Sequence, residues 1–345
     1  MRKIKICSLT VTYKKKEKLI ECLRSLLNQS YPLDSLALFD NSPQENTLEF
    51  IEDKLDISVK EETKKDFNRF GEYLIKKANG EFLNLYYSSV SKNIGASGGY
   101  AFLLNNLLEK NFFDFFWLMD DDCVASKDAL EKLVYWAQKN KKAAYASIKK
   151  NKFGKILGGF CGYYNFDNVY GNAAVPADLS KESPIRVDYS SFPGFLAHNE
   201  IVREAGVPDG RFFFHYDDLE WSFRIKEKYP IFLIKESEVF HIDESEIIES
   251  PSSFFGIYKN MVVYDKFWII YFNLRNSTYL GKIKAANKII FILRMILTLI
   301  RNMRDAFFWG DNKIKRIKII IQSFYDGLSG RFDNEKIFKI IWEKK

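Results

Sequence analysis

The chain has 345 residues, 47% of them hydrophobic and 16% aromatic, with no low-complexity tract, so it carries ample apolar surface for one large domain or two smaller ones. Its four cysteines (Cys7, Cys22, Cys123, Cys161) are scattered and form no CxxC pair, which argues against a zinc knuckle and a disulfide framework and makes a reduced, cytoplasmic setting the expectation. The net charge of +7 is uneven: residues 281–345 hold 15 Lys and Arg against 6 Asp and Glu, and the rest of the chain is slightly acidic.

Taken in order, the first half alternates strand and helix signals, the pattern of a sheet with crossover helices. The opening MRKIKICSLTVTY alternates as a strand does, not as a secretory signal, and Ile4–Thr12 is read as that strand. Lys16–Gln29 follows as a helix with Leu19, Ile20, Leu23, Leu26 and Leu27 on one face. Leu36–Asp40 and Leu83–Ser88 are further strands. The loop SKNIGASGGY then leads into an apolar helix running to about Glu109. Phe115–Met119 is the strand that ends in Asp120, Asp121 and Asp122, and Ser126 is expected to cap the next helix, whose core face is Leu130, Leu133, Val134 and Ala137.

From about Lys142 to Phe195 short segments rich in Gly, Tyr and Asn suggest extra strands and loops. RFFFHYDDLEWSFRIKEKY reads as a short strand entering a helix, IFLIKESEVFHID as two short strands, and the chain beyond about Ser250 as helical and basic. No stretch of about eighteen uncharged apolar residues exists, so no membrane-spanning helix is predicted. The expected division is 1–250 (halves 1–125 and 126–250) followed by a helical region 251–345.

Three consecutive carboxylates at the mouth of the greasy strand FFWLM repel one another, and burial adds to the cost. A hard cation, Mn2+ or Mg2+, relieves that repulsion and commonly takes substrate phosphates as further ligands. A solvated acidic loop is the bland alternative for an isolated DDD, and the burial implied by FFWLM favours metal. Which two of the three would bind it stays open. DDDCV also fits the D-x-D-x-[TV] pattern of haloacid-dehalogenase-type phosphatases, in which Asp120 would be phosphorylated. That motif belongs on the first strand of its core, whereas at least three strand-ended units precede it here. A non-catalytic saccharide-binding protein is a third reading.

In HYDDLEW, Asp217 and Glu220 can form a helix-capping box. Asp218 is then left beside aromatic residues, where a carboxyl acquires a pKa suited to general-base work. Trp221 either presents a flat face to a sugar or fills the core. His241, one of only three histidines, follows a short strand and suits an Mn2+-class ion. NIGASGG is too loose for a dinucleotide fingerprint. In open sheets of this kind ligands bind beyond the carboxyl ends of the strands, and Asp40, Asn93 and Asp120–Asp122 all fall at such ends. The tail segment KIKAANKIIFILRMILTLIRNMR mixes an apolar face with Lys and Arg. That suits a membrane surface, with a packed helix or a homo-oligomer contact as the alternatives, and no recognition motif supports nucleic acid.

In the order LTVTYKKKEKLIECLRSLLNQSYP, LFDNS, SKNIGASGGY, FWLMDDD, FPGFLAHNEIVREAGVPDGRFFFHYDDLEWSFR, VFHID and YFNLRNS, the chain resembles inverting glycosyltransferase family 2, over about residues 5–280. Within it the chain is similar to the bacterial galactofuranosyltransferase and rhamnosyltransferase branch, and it departs from relatives at Lys14, where Asn is frequent. The resemblance implies a GT-A fold, an α/β mixed sheet flanked by helices, with a nucleotide-sugar donor and a divalent cation. It implies nucleotide-binding roles for Thr10, Thr12, Asp40, Asn93 and Asp120, and metal ligation by Asp120, Asp122 and His241. Asp218 would be the catalytic base, with Asp217, Glu220 and Trp221 near the acceptor. The donor expected is UDP-galactofuranose, then dTDP-rhamnose. The expected acceptor is a growing, lipid-linked cell-surface or capsule polysaccharide, reached peripherally at the inner membrane face.

Overall fold

In this computed structural model, which describes residues 3–65, 68–77, 79–242 and 249–342, strand β1 (Ile6–Thr12) is buried at every residue. Helix α1 (Lys16–Leu27) follows it and turns Leu19, Ile20, Leu23 and Leu26 inward, as their spacing requires. Next come β2 (Ser35–Asp40), α2 (Thr47–Lys54), β3 (Ile57–Lys65), β4 (Asn68–Lys76) and β5 (Phe82–Ser89). Helix α3 (Gly95–Lys110) packs closely on β1 and β2: a Cβ at Gly99 would come within 2.8 Å of Val11 and 2.9 Å of Phe39. Beyond it lie β6 (Phe115–Asp120), β7 (Cys123–Ala125), α4 (Ala129–Lys139) and β8 (Ala144–Asn151).

The short strands β9 (Cys161–Tyr164), β10 (Ala174–Pro176), β11 (Ile185–Val187), β12 (Tyr189–Ser190) and β13 (Phe195–His198) precede α5 (Asn199–Ala205) and α6 (Asp217–Lys226). The chain continues through β14 (Ile231–His241), the hairpin β15 (Glu249–Phe254) and β16 (Ile257–Val262), and the helices α7 (Trp268–Lys284), α8 (Lys288–Phe308), α9 (Lys313–Ser329) and α10 (Asn334–Trp342).

The main sheet runs β11-β14-β8-β13-β6-β1-β2-β5-β4-β3, with β7 paired to β14. β1 is parallel to both β2 and β6, so the carboxyl ends of these three strands, with Thr12, Asp40 and Asp120, open on one edge. β13 enters antiparallel between β6 and β8, which makes the sheet mixed. Apolar clusters built from alternate strand residues cover its two faces, one with Leu19, Leu23, Trp117 and Leu130, the other with Leu9, Tyr100, Phe195 and Trp221.

By contacts the chain divides into two units, one of residues 1–163, 176–210 and 217–244, the other of 164–175, 211–216 and 245–345. The second has its own core around Phe213, Tyr271, Phe272, Ile319 and Phe324. Among the described residues no helix is long and apolar enough to cross a membrane.

Several local expectations are corrected. Ser126 does not cap α4: the cap position is Asp128, and the Ser126 hydroxyl donates to the Asp128 carboxylate at 3.2 Å. No strand leads directly into α6. That segment is a 3-10 turn at Gly210–Phe212, followed by Phe213, His215 and Tyr216 with φ of 66°, 62° and 67°. The two strands expected in IFLIKESEVFHID are the single strand β14, irregular between Ile234 and Glu238 where its register to β8 shifts. The β3–β4 hairpin was not anticipated, because its charged sequence ISVKEETKK hides the alternation, and the β15–β16 hairpin interrupts the supposedly all-helical tail.

Candidate active site

Strand pairing brings the acidic cluster together with a histidine distant in sequence. β7 lies antiparallel to β14 with His241 opposite Cys123, and the Ile242 amide donates to the Asp122 carbonyl at 2.9 Å. Ligand atoms of Asp120, Asp122, Cys123 and His241 therefore all lie within 4.8 Å of one another. His241 Nδ1 is 3.7 Å from Asp122 Oδ1.

The three aspartates diverge in role. Asp121 turns back into the protein, where its Oδ2 accepts from Thr12 Oγ1 at 2.8 Å and from the Tyr13 amide at 3.1 Å. Burial, then the neighbouring Asp122 charge, pushes its carboxyl up to about 7. Asp120 Oδ1 accepts from the Tyr100 hydroxyl at 2.8 Å, and burial followed by Asp122 raises its pKa as well. Asp122 Oδ2 takes Lys15 Nζ at 2.6 Å. The charge problem posed by the sequence is thus met in part by Lys15, reaching over from the end of β1.

The donor set fits a hard divalent ion. Two carboxylates and an imidazole are the ligand types of Mn2+-class sites. Cys123 stands beside them: burial, then Asp120 and Asp122, raises its thiol well above the usual range, and it donates to Asp122 Oδ1 at 3.6 Å.

A second acidic group stands at the start of α6. Asp217 is buried, and burial followed by the Asp218 charge holds its carboxyl well above the usual carboxylate range. Asp218 is partly buried and accepts the Leu219 amide at 2.7 Å. Burial pushes its pKa up to about 6; the Asp120 charge adds to the rise, while the Leu219 amide and Lys149 oppose it. Asp218 is therefore within electrostatic reach of the Asp120 cluster, and its pKa suits a group that takes up a proton near neutrality.

Lys149 was missed by the sequence reading. Strand alternation splits SIKKN: Lys150 pairs with Glu238, while Lys149 points inward and is buried. The Lys149 ammonium donates to Ser190 Oγ, and Ser190 is joined through its backbone to Ser222 Oγ on α6, at 3.3 and 3.1 Å. Ser222 lies four residues after Asp218, on the same helix face. Lys149, whose pKa burial lowers, is thereby braced against the helix that carries Asp218.

The remaining expected site residues differ in how open they are. Asp40 is fully buried, with Oδ1 held by the Ser42 amide and hydroxyl and Oδ2 by the Tyr87 hydroxyl at 2.9 Å. Thr10 and Thr12 are also buried, and Thr12 is engaged with Asp121. As they stand, Asp40 and Thr12 brace the strand ends with their polar atoms engaged, whereas the buried Thr10 Oγ1 has no hydrogen-bond partner among the described residues. Asn93 accepts the Gly95 amide at 2.8 Å and shapes the entry to α3, together with Asn41, which ties Ile94 and Gly95 to the end of β2.

Two of the residues expected beside an acceptor are engaged within the protein. Glu220 forms no capping box. Both of its oxygens take Arg224, at 2.6 and 2.8 Å, and Arg224 in turn holds the Ala205 and Val207 carbonyls. Trp221 is 1% exposed, packs on Phe192 and Phe195 and donates to the Gly206 carbonyl at 2.7 Å, so it fills the core and offers no face to a sugar.

In the second unit, Asn276 from the YFNLRNS segment donates to the Phe212, Phe214 and His215 carbonyls at 3.1, 2.9 and 2.8 Å. Those bonds hold the left-handed run leading into α6, a conformation that costs about 1–3 kcal/mol per residue.

No family model and no curated protein matches the chain. Solved structures do. It is similar to GalNAc-T7, solved with UDP, GalNAc and Mn2+, at a TM-score of 0.52 and 15% identity over 70% of this chain, which spans only 44% of that protein. It is similar also to residues 1-349 of S. aureus TarS, at a TM-score of 0.52 and 12% identity, covering 98% of this chain and 90% of that one. At such identities the likeness is one of fold, and the fold is that of the GT-A glycosyltransferases.

Proposed function

We propose that the chain is a metal-dependent glycosyltransferase. It would move a sugar, with inversion, from a nucleotide diphosphate donor to a hydroxyl of a growing, lipid-linked saccharide. The observation that carries this reading is the convergence of Asp120 at the end of β6, Asp122 in the turn after it and His241 at the end of β14, with Asp218 in electrostatic reach, on a fold shared with glycosyltransferases. The neighbour GalNAc-T7 was solved with UDP and Mn2+, which supports a uridine diphosphate donor and an Mn2+-class ion. On the motif wording WLMDDD and HYDDLEW, UDP-galactofuranose is favoured over dTDP-rhamnose.

In this reading Asp120, Asp122 and His241 hold the cation, which when bound stabilises the charge that develops on the leaving diphosphate. Asp121 keeps the loop after β1 in place and does not ligate. Asp218 accepts the proton of the acceptor hydroxyl as it attacks the anomeric carbon from the side opposite the diphosphate. A single displacement then inverts that carbon without a covalent enzyme intermediate. Burial, then the Asp218 charge, raises the carboxyl of the adjoining Asp217 well above the usual range. The phosphatase alternative is disfavoured, because Asp120 ends β6 and not the first strand of the sheet.

Calorimetric titration of UDP and dTDP, with and without Mn2+, tests the reading. Metal-dependent binding of one of them is expected. Binding of neither, or binding indifferent to EDTA, would overturn it.

A further inference from the structure

Helix α8 carries apolar side chains on two opposite faces, yet only one of them is covered. Phe291, Thr298 and Ala306 are buried and Met295, Leu299 and Met303 pack against the core of the second unit. Opposite them, Ile289, Leu293, Leu297 and Ile300 are 72%, 57%, 66% and 58% exposed, with Ile292 and Ile296 also in the open. An apolar stripe of this kind is ordinarily covered. This stripe, 12 residues from Ile289 to Ile300 and about 17 Å long at the helical rise, stands in solvent.

The charges beside the stripe say what covers it. From Gly281 to Arg304 the chain has no Asp or Glu and six Lys and Arg. Arg294 and Arg301 are exposed and seven residues apart, so they share a face with Leu297 between them. A second copy docked on this face would set these cations against their own counterparts with no acid to pair them. An anionic lipid surface satisfies both features: the side chains of Ile and Leu enter the acyl boundary and the guanidinium groups meet the headgroup phosphates.

We infer that the outward face of α8 docks this protein onto an anionic bilayer, lying in the interface and not spanning it. The inference is independent of the transfer chemistry, since it uses residues of the second unit alone.

The full chain is to be sedimented with vesicles of phosphatidylcholine, alone or mixed with phosphatidylglycerol, at low and high salt. Binding is expected only to the anionic vesicles, weakened by salt. Arg294→Gln with Arg301→Gln should reduce affinity about 30-fold at low salt, at about 1 kcal/mol per cation. Leu293→Gln with Leu297→Gln should reduce it at least about 10-fold at either salt. All four positions are exposed, so thermal melts should match the unsubstituted chain, and each pair serves as the control for the other. Absence of binding to anionic vesicles, or unchanged binding by both pairs, overturns the inference. So does a concentration-dependent dimer that the Leu pair abolishes, because the face would then belong to a second copy.

Discussion

The two acidic triplets of the first unit begin with the same three charges and dispose of them differently. In Asp120–Asp122 one carboxylate, Asp121, is given to the scaffold through Thr12 and Tyr13. The other two stand among cationic or protonatable partners, Lys15 and His241. At α6 the scaffold takes Glu220 through Arg224, and no Lys or Arg makes an ion pair with Asp217 or Asp218 among the described residues. The cation that acts on Asp218 is Lys149, through its charge and without a hydrogen bond. Burial raises carboxyls in both groups; what differs is that the first keeps Lys15 and His241 beside Asp122, while the second has no such neighbour among the described residues and Asp218 is pushed up to about 6.

The largest effect expected from breaking this contrast is at Asp218. Asp218→Asn should lower turnover about 10²- to 10⁴-fold with UDP binding unchanged by calorimetry. Near-normal turnover would move the base elsewhere. The same substitution should raise the melting temperature at pH 7. The folded pKa, about 6, lies above the ordinary 3.8, so stability from this group is present below pH 3.8 and is lost as pH rises through about 6.

Next in size are the cation-holding pair. Asp120→Asn or Asp122→Asn should weaken Mn2+-dependent UDP binding about 100-fold. Asp121→Asn should leave the Mn2+ dependence intact and show itself in thermal stability instead. Equal loss of metal response in all three would erase the division of labour within the triplet.

Glu220→Gln, which breaks the two-pronged pair with Arg224, should cost about 1–2 kcal/mol in denaturant titration with the acceptor KM unchanged. A raised acceptor KM without loss of stability would return Glu220 to substrate contact. The subtlest test is Lys149→Met. The ammonium lowers the Asp218 pKa, so its removal should shift the acid limb of the kcat/KM profile to higher pH. An unmoved limb would reduce Lys149 to a structural brace.

Much of the fold was legible in the residues. The strand ending at Thr12, the helix face of Leu19, Ile20, Leu23 and Leu26, and the buried FFWLM were readable because periodicity is a local property that burial enforces. The candidate metal ligands and Asp218 were legible as residue types at strand and helix ends. Trp221 was not resolved, because an aromatic beside acids looks the same whether it faces a sugar or Phe195.

What the amino acids determined by themselves was where carboxylates stand at the ends of buried elements, since hydrophobic spacing alone places them there. Which cation meets which carboxylate was decided only by tertiary pairing. Lys15 reaches Asp122 across 107 residues, and the register of β7 on β14 sets His241 opposite Cys123. An electrostatic partner is chosen by distance in space, and no local pattern carries that distance.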